Sequence, residues 1–555
     1  MNEPGTGGDA VVRALKHAGV DTVFGLISIH NMALYDAIHR QGGIRAVPSR
    51  SEPGAVNMAD GYARATGRLG VAITSTGTGA GNACGALVEA QTAGTPLLHL
   101  TGQVDSAYID KGRGFIHEPK DQLGMLRAVS KAAYRPIDAT AVPWTLYAAV
   151  EQALAAPRGV VSVELPVDYQ YATVQPIELP GRHAPRVFPD PSLVDRAAGL
   201  LATARRPVIW VGGGAIAGEA AAPLRALAEA LGAAVITTTA GRGVLPEDHP
   251  LCVGNWGTAT AVRELLQSAD VLLAVGTRFR GNETLNYQLK LPPTIVQIDA
   301  DPLAIGRSYP ATLGIVGDAA ATLGMLRKAR PEFDRSVPDR PGPDPAFRDA
   351  ISAARAAARA AMRATMGRYE AVVDALHAVL PRDAIRVRDV TIASTTWGNR
   401  LLEVYEPRTS IHAVGGGIGQ GLQMALGAKV GRPERTVVCL AGDGGLLVNV
   451  GEWATAVQEN LAVVVVLFND GGYGVLRNIQ NRTMAGRHIG VDLRTPDFVG
   501  LAEAFGAWAR RVRVIDDFRP ALEAALDTGR PALVELDMAA IGPPAVAYGG
   551  PPAGA

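Results

Sequence analysis

Cysteine is scarce in this chain. Its three cysteines, Cys84, Cys252 and Cys439, stand far apart and offer neither a disulfide framework nor a zinc-ligand spacing. A reducing, cytoplasmic setting is therefore expected. Net charge is missing as well: 53 basic residues balance 53 acidic ones, so no basic field invites nucleic acid or an acidic membrane. Even the apolar run Leu461–Phe468 falls far short of the roughly 20 residues a membrane-crossing helix needs. The opening MNEPGTGGDA is polar and lacks the apolar centre of a signal peptide. Aromatic residues make up only 5% of the chain, against 48% hydrophobic residues and 64 glycines. That balance fits a large α/β enzyme rich in alanine, valine and glycine.

What is present falls into three α/β blocks, because 555 residues exceed a single core. The expected domains are 1–178, 190–330 and 365–540, with a Pro/Gly-rich arm at 541–555. Pro180–Pro191 and Pro331–Pro345 read as linkers, and Ala346–Thr365 as an Ala/Arg-rich helix. The first and third blocks echo each other. Each carries a strand, a Gly-rich turn, a helix and a second strand, around GTGAGN and GDGG. The expected fold class is therefore α/β, with three doubly wound parallel-sheet domains.

The most telling segment is GDGGLLVNVGEWATAVQENLAVVVVLFNDGGYG, residues 442–474. Thr436–Ala441 and Leu461–Phe468 read as buried strands and Asn449–Asn460 as the helix between them. Such a crossover makes the strands parallel neighbours, roughly 4.8 Å apart. Asp443 and Asp470 then lie side by side at strand ends, where open α/β sheets bind ligands. Two carboxylates there suit a hard cation holding a phosphorylated group.

This segment resembles the thiamine-diphosphate-binding motif of the acetolactate synthase, benzaldehyde lyase and benzoylformate decarboxylase type of enzyme. The resemblance runs over essentially the whole chain and implies pyrimidine-binding, central and diphosphate-binding domains in that order. It implies Mg²⁺ held by Asp443, Asp470 and the carbonyl of Gly472. Asp470 replaces the more usual asparagine, and its extra negative charge should weaken the hold on a diphosphate. Gly442, Gly444, Gly445, Tyr473 and Gly474 complete the implied cofactor cradle. Ile418, in GGGIGQGLQMALG, falls where the family places a bulky prop that bends the cofactor.

In SRSEPGAVNMADGYARATGR, Glu52 falls at a strand-to-helix junction. By itself it reads as a helix-capping acid. The resemblance instead implies the glutamate that activates the cofactor through its pyrimidine nitrogen, with Ser51 replacing the family's usual histidine. The implied chemistry is decarboxylation of a 2-oxo acid and ligation of the acyl-anion equivalent, through a carbanion at the cofactor's C2. Glu52 and Asp443 belong to different blocks, and in the family they meet across a subunit interface. A homodimer or homotetramer is implied.

The substrate side departs from acetolactate synthases. His30 follows Ile29 in FGLISIHNMALYDAI and matches a benzaldehyde lyase histidine; His117 replaces an active-site glutamine. Both are candidate proton carriers. Ile27, Ile29, Glu118, Val475, Leu476 and Ile479 are candidate pocket residues, suggesting a site larger and greasier than pyruvate needs. Alternatives are a 2-hydroxy ketone lyase, an oxalyl-CoA-type decarboxylase, or a non-catalytic nucleotide-binding regulatory subunit. In the middle block, Gly212, Gly213 and Gly214 form a turn suited to a diphosphate. Arg278 and Asp299 match positions that face FAD in acetolactate synthases. FAD, a nucleotide without redox role, and an empty relic site all remain open.

Overall fold

The computed structural model describes residues 4–181, 186–329 and 344–547. Most of the expected linker at 331–345, part of that at 180–191, and the arm beyond residue 547 lie outside these. Three six-stranded sheets form the frame, and every strand pairing within them is parallel.

The first sheet runs Arg45–Pro48, Thr22–Gly25, Gly70–Thr74, Leu97–Gln103, Val160–Pro166, Ala132–Tyr134. The third runs Ser410–His412, Ile385–Arg388, Val437–Gly442, Val463–Asn469, Ala532–Asp537, Trp508–Val512. Each of these two sheets has its strands in the order second, first, third, fourth, sixth, fifth along the chain. The echo between the two blocks therefore extends to topology. The middle sheet runs Cys252–Gly254, Ala234–Thr237, Pro207–Val211, Val271–Val275, Thr294–Asp299, Leu313–Val316, an order that reverses at Pro207–Val211. Helices cover both faces of such sheets, so central strands read as unbroken apolar runs; Val463–Phe468 is buried throughout.

The first and third domains pack through helices Glu52–Thr66 and Gly421–Gly431. A Cβ on Gly61 would lie 2.1 Å from the Met424 carbonyl oxygen, and one on Gly427 would lie 1.9 Å from that of Met58. Two reciprocal glycines thus let the backbones touch. The helix expected at Asn449–Asn460 is corrected: helices run Asp443–Val448 and Glu452–Gln458. Gly442 is still extended, so the first helix starts where the strand ends. Asn449 leaves helical geometry, and its side chain donates to the Gly419 carbonyl at 2.9 Å.

Candidate functional site

In the third sheet Gly442 pairs with Phe468, which sets Asp443 and Asp470 just beyond adjacent strand ends. Both carboxyls are pushed upward, first by burial; Asp443 reaches about 6, with the charge of Asp470 adding to the effect. The backbone of Gly472 hydrogen-bonds to both. Asp443 Oδ2 and Asp470 Oδ1 are nonetheless buried without a hydrogen-bond partner, although the Arg477 guanidinium stands 4.0 Å from Asp470 Oδ1. Two orphaned carboxylate oxygens at neighbouring strand ends fit a divalent cation with oxygen ligands. Among the described residues no cluster of three His, Cys, Asp or Glu forms a metal site. A cation here would therefore draw its remaining ligands from carbonyl, phosphate and water oxygens.

These acids line a cavity of about 1130 Å³, together with Ile418 and residues 442–445 and 472–476. The volume and the small-residue floor fit a phosphorylated cofactor and more. Helix Gly474–Thr483 begins at the cavity wall, so its N-terminus would favour an anion held there. The far walls are apolar, built by Trp256, Ala357, Ala361, Met362 and Met538. Ile418 is 37% exposed despite its size and projects from a glycine-rich turn. Asp389, buried and raised to about 6 by burial, grips the far side of that turn, accepting from the amides of Gly419 and Gly421. Glu118 is tied to its own loop and does not line this cavity. Its carboxylate accepts from the amides of Gly112, Arg113 and Phe115, bonds that hold it below the usual carboxylate range. Ile479 does not line the cavity, whereas Val475 and Leu476 do.

A second group gathers at the matching edge of the first sheet. Glu52 opens its helix behind Ser51, whose hydroxyl accepts from the Gly54 amide. Glu52 Oε2 accepts from Asn82 Nδ2 at 3.3 Å. The turn at Gly77–Gly79 touches both Glu52 and His117: a Cβ on Gly79 would lie 2.9 Å from Glu52 Oε1, and one on Gly77 2.3 Å from the His117 carbonyl. His117 adopts φ +63°, and its ring meets His30 edge-on with centroids 5.1 Å apart. His30 is buried, its Nδ1 has no partner, and burial together with the nearby His117 lowers its pKa. Ile27 and Ile29 stand beside this group and are 58% and 57% exposed. None of these residues lines the 1130 Å³ cavity of the same chain.

Sequence reasoning missed Glu452. This buried carboxylate accepts from the Arg50 amide at 3.0 Å and the Ser51 hydroxyl at 3.0 Å, so the third domain fixes the loop that carries Glu52. Its only sequence signal is an acid inside an otherwise apolar helix face.

At the point where the middle sheet reverses lies a cavity of about 630 Å³, lined by Gly213, Gly214, Arg278 and Asp299 among others. Gly212 packs beneath it, with a Cβ site 2.2 Å from the Gly276 carbonyl oxygen. Asp299 is raised mainly by burial. Arg278 donates to the Thr92 carbonyl at 3.2 Å, and Phe279 is buried against Trp210 and Tyr309.

Comparison with known proteins agrees with this layout. Residues 5–125 match the thiamine pyrophosphate enzyme N-terminal TPP-binding domain, 194–326 the central domain, and 392–536 the C-terminal TPP-binding domain. The chain belongs to the thiamine-pyrophosphate-dependent enzymes. A probable 2-ketoarginine decarboxylase of Pseudomonas aeruginosa is 35% identical over 96% of this chain and 94% of its own length. The acetolactate synthase large subunit of Corynebacterium glutamicum is 32% identical over 96% of this chain and 86% of its own. Isozyme 3 of Escherichia coli is 32% identical, covering 95% and 93%. The protein is thus a thiamine-diphosphate-dependent enzyme of the acetolactate synthase type, a transferase or lyase with decarboxylase and carboligase relatives. Among the described residues no helix is long and apolar enough to cross a membrane.

Proposed function

We propose that this thiamine enzyme is a Mg²⁺-dependent 2-oxo acid decarboxylase and carboligase whose donor is larger than pyruvate. The Asp443 and Asp470 carboxylate oxygens, buried without hydrogen-bond donors at neighbouring strand ends, carry the reading, because such a pair would hold a divalent cation. Thiamine diphosphate, once bound, supplies the carbon nucleophile and the electron sink for loss of carbon dioxide. Asp443, Asp470 and the Gly472 carbonyl would hold the metal, residues 442–445 and 473–474 would cradle the diphosphate, and Ile418 would prop the rings. Glu52 gives and takes a proton at the pyrimidine nitrogen. Because Glu52 lines no part of its own chain's cavity, a second copy completes each site.

His30 and His117 serve the substrate. A buried imidazole with a free Nδ1 and a lowered pKa is neutral at pH 7, and can pass a proton to or from the substrate oxygen. The apolar far walls and the likeness to a probable 2-ketoarginine decarboxylase support a long-chain donor. The second reading, cleavage of 2-hydroxy ketones, draws on the same His30. The cavity of the middle domain has the volume and the glycine-lined wall that a nucleotide, flavin or otherwise, would need.

The test is NMR product analysis with thiamine diphosphate and Mg²⁺ over pyruvate, 2-oxobutyrate, 2-ketoarginine, benzoylformate, oxalyl-CoA and benzoin. Turnover of a 2-oxo acid beyond pyruvate, absent in Glu52→Gln, is expected. Cleavage of benzoin alone would replace the reading with the lyase.

A further inference from the structure

The turn that presents Ile418 has little stiffness of its own. Gly415, Gly416, Gly417 and Gly419 supply four glycines around it, with φ +85° at Gly416 and +78° at Gly419. Glycine leaves the chain more conformational freedom than any other residue, so such a turn needs holding from outside. Asp389 holds one side, as described. The other side is held from two different domains.

Glu89, on helix Thr78–Ala93 of the first domain, is 1% exposed. Its Oε1 accepts from the Val414 amide at 2.5 Å and its Oε2 from the Gly415 amide at 2.6 Å. Arg64, shared with the buried carboxylate of Asp60, donates to Oε1 at 3.0 Å while its other arm donates to the His412 carbonyl at 2.5 Å. From the middle domain Arg280 donates to the Val414 carbonyl at 2.5 Å. A Cβ on Gly415 would lie 2.7 Å from Glu89 Oε2, so the carboxylate occupies the space a side chain would need.

We propose that Glu89 is a positioning residue for the cofactor prop: with Arg280 as its middle-domain counterpart, it fixes the glycine-rich turn so that Ile418 is set before any cofactor arrives. This rests on the proposed role of Ile418. A charge-assisted carboxylate spanning two successive amides defines the direction of the peptide plane as well as its position. Arg280 fills the segment where the resemblance placed flavin contacts, yet it reaches the Ile418 turn and does not line the nucleotide-sized cavity.

Amide hydrogen exchange on the full-length, cofactor-free protein tests this directly, with Glu89→Gln and Arg280→Met compared with wild type. In Glu89→Gln the Val414 and Gly415 amides should exchange about tenfold faster or more, the factor that about 1.4 kcal/mol commands, while strand Val463–Asn469 keeps its protection. With thiamine diphosphate and Mg²⁺ saturating, kcat should fall in both variants while the cofactor Kd stays within about twofold, because the diphosphate contacts are untouched. Unchanged protection at 414–415 in Glu89→Gln would overturn the proposal, and so would loss of protection everywhere alike. If Glu89→Gln fails to fold, Arg280→Met decides: an unchanged kcat there overturns it. A wild type without turnover on any substrate would instead sink the proposed function, and the exchange result would still judge the clamp.

Discussion

The Asp443–Asp470 pair makes a prediction that can be worked through in numbers. Asp443 rises from its ordinary 3.8 to about 6, through burial and the neighbouring charge of Asp470. A raised carboxyl means that the folded protein binds more protons than the unfolded chain between those values. The stabilisation is therefore intact below about pH 4 and is lost as pH climbs through about 6. At pH 8 the ionised cofactor-free fold carries a cost of about 3 kcal/mol from this group. Asparagine cannot ionise and escapes that cost. Chemical denaturation of cofactor-free wild type and Asp443→Asn at pH 5 and pH 8, with a chelator present, measures it. Domains of so large a chain unfold in steps, so the transition of the C-terminal domain is the one to follow. The stability gap in favour of Asp443→Asn should widen by about 1.4 kcal/mol between the two pH values, because about half of the full 3 kcal/mol is already lost at pH 5. Mg²⁺ with thiamine diphosphate should reverse the order at pH 8, because the cation needs the ionised pair. A gap that stays constant with pH would refute the reasoning.

Three further outcomes follow. Asp470→Asn should tighten thiamine diphosphate binding at matched Mg²⁺, since one negative charge opposite the diphosphate is removed; weaker binding by calorimetry would contradict this. His30→Ala should lower kcat about 10² to 10⁴-fold if the ring carries a substrate proton. The acidic limb of the kcat/KM profile should also change; an unaltered profile would reduce His30 to packing. Ile418→Ala should leave the melting temperature within about 2 °C, because the side chain is 37% exposed, while kcat drops; a large loss of stability with normal turnover would show that the residue is structural.

Legibility in the sequence followed the range of each interaction. Asp443 and Asp470 were readable because a strand–helix–strand crossover dictates adjacency, and the register of Gly442 with Phe468 places them so. The three parallel sheets were readable for the same reason: apolar runs alternate with amphipathic stretches. His30 and His117 were each singled out, but their edge-on contact depends on a left-handed backbone at His117 that no local pattern announces. Glu118 shows the same limit: nothing local in the sequence announces that its carboxylate folds back on the amides of its own loop. The Asn449–Asn460 helix was placed late because amphipathic periodicity begins there, whereas the backbone turns helical as soon as the strand stops at Gly442. Glu89 and Glu452 were invisible, since their partners lie more than 300 residues away. Each now reads as a buried acid in an apolar helix, reaching across to hold the other domain's loop.

The most direct check of the central claim is proton exchange at C2 of bound thiamine diphosphate in deuterated buffer with Mg²⁺, comparing wild type with Glu52→Gln. Exchange far faster than in free cofactor, lost in Glu52→Gln with binding retained, is the expected result. Wild-type exchange no faster than that of free cofactor would mean that the protein holds thiamine diphosphate without activating it.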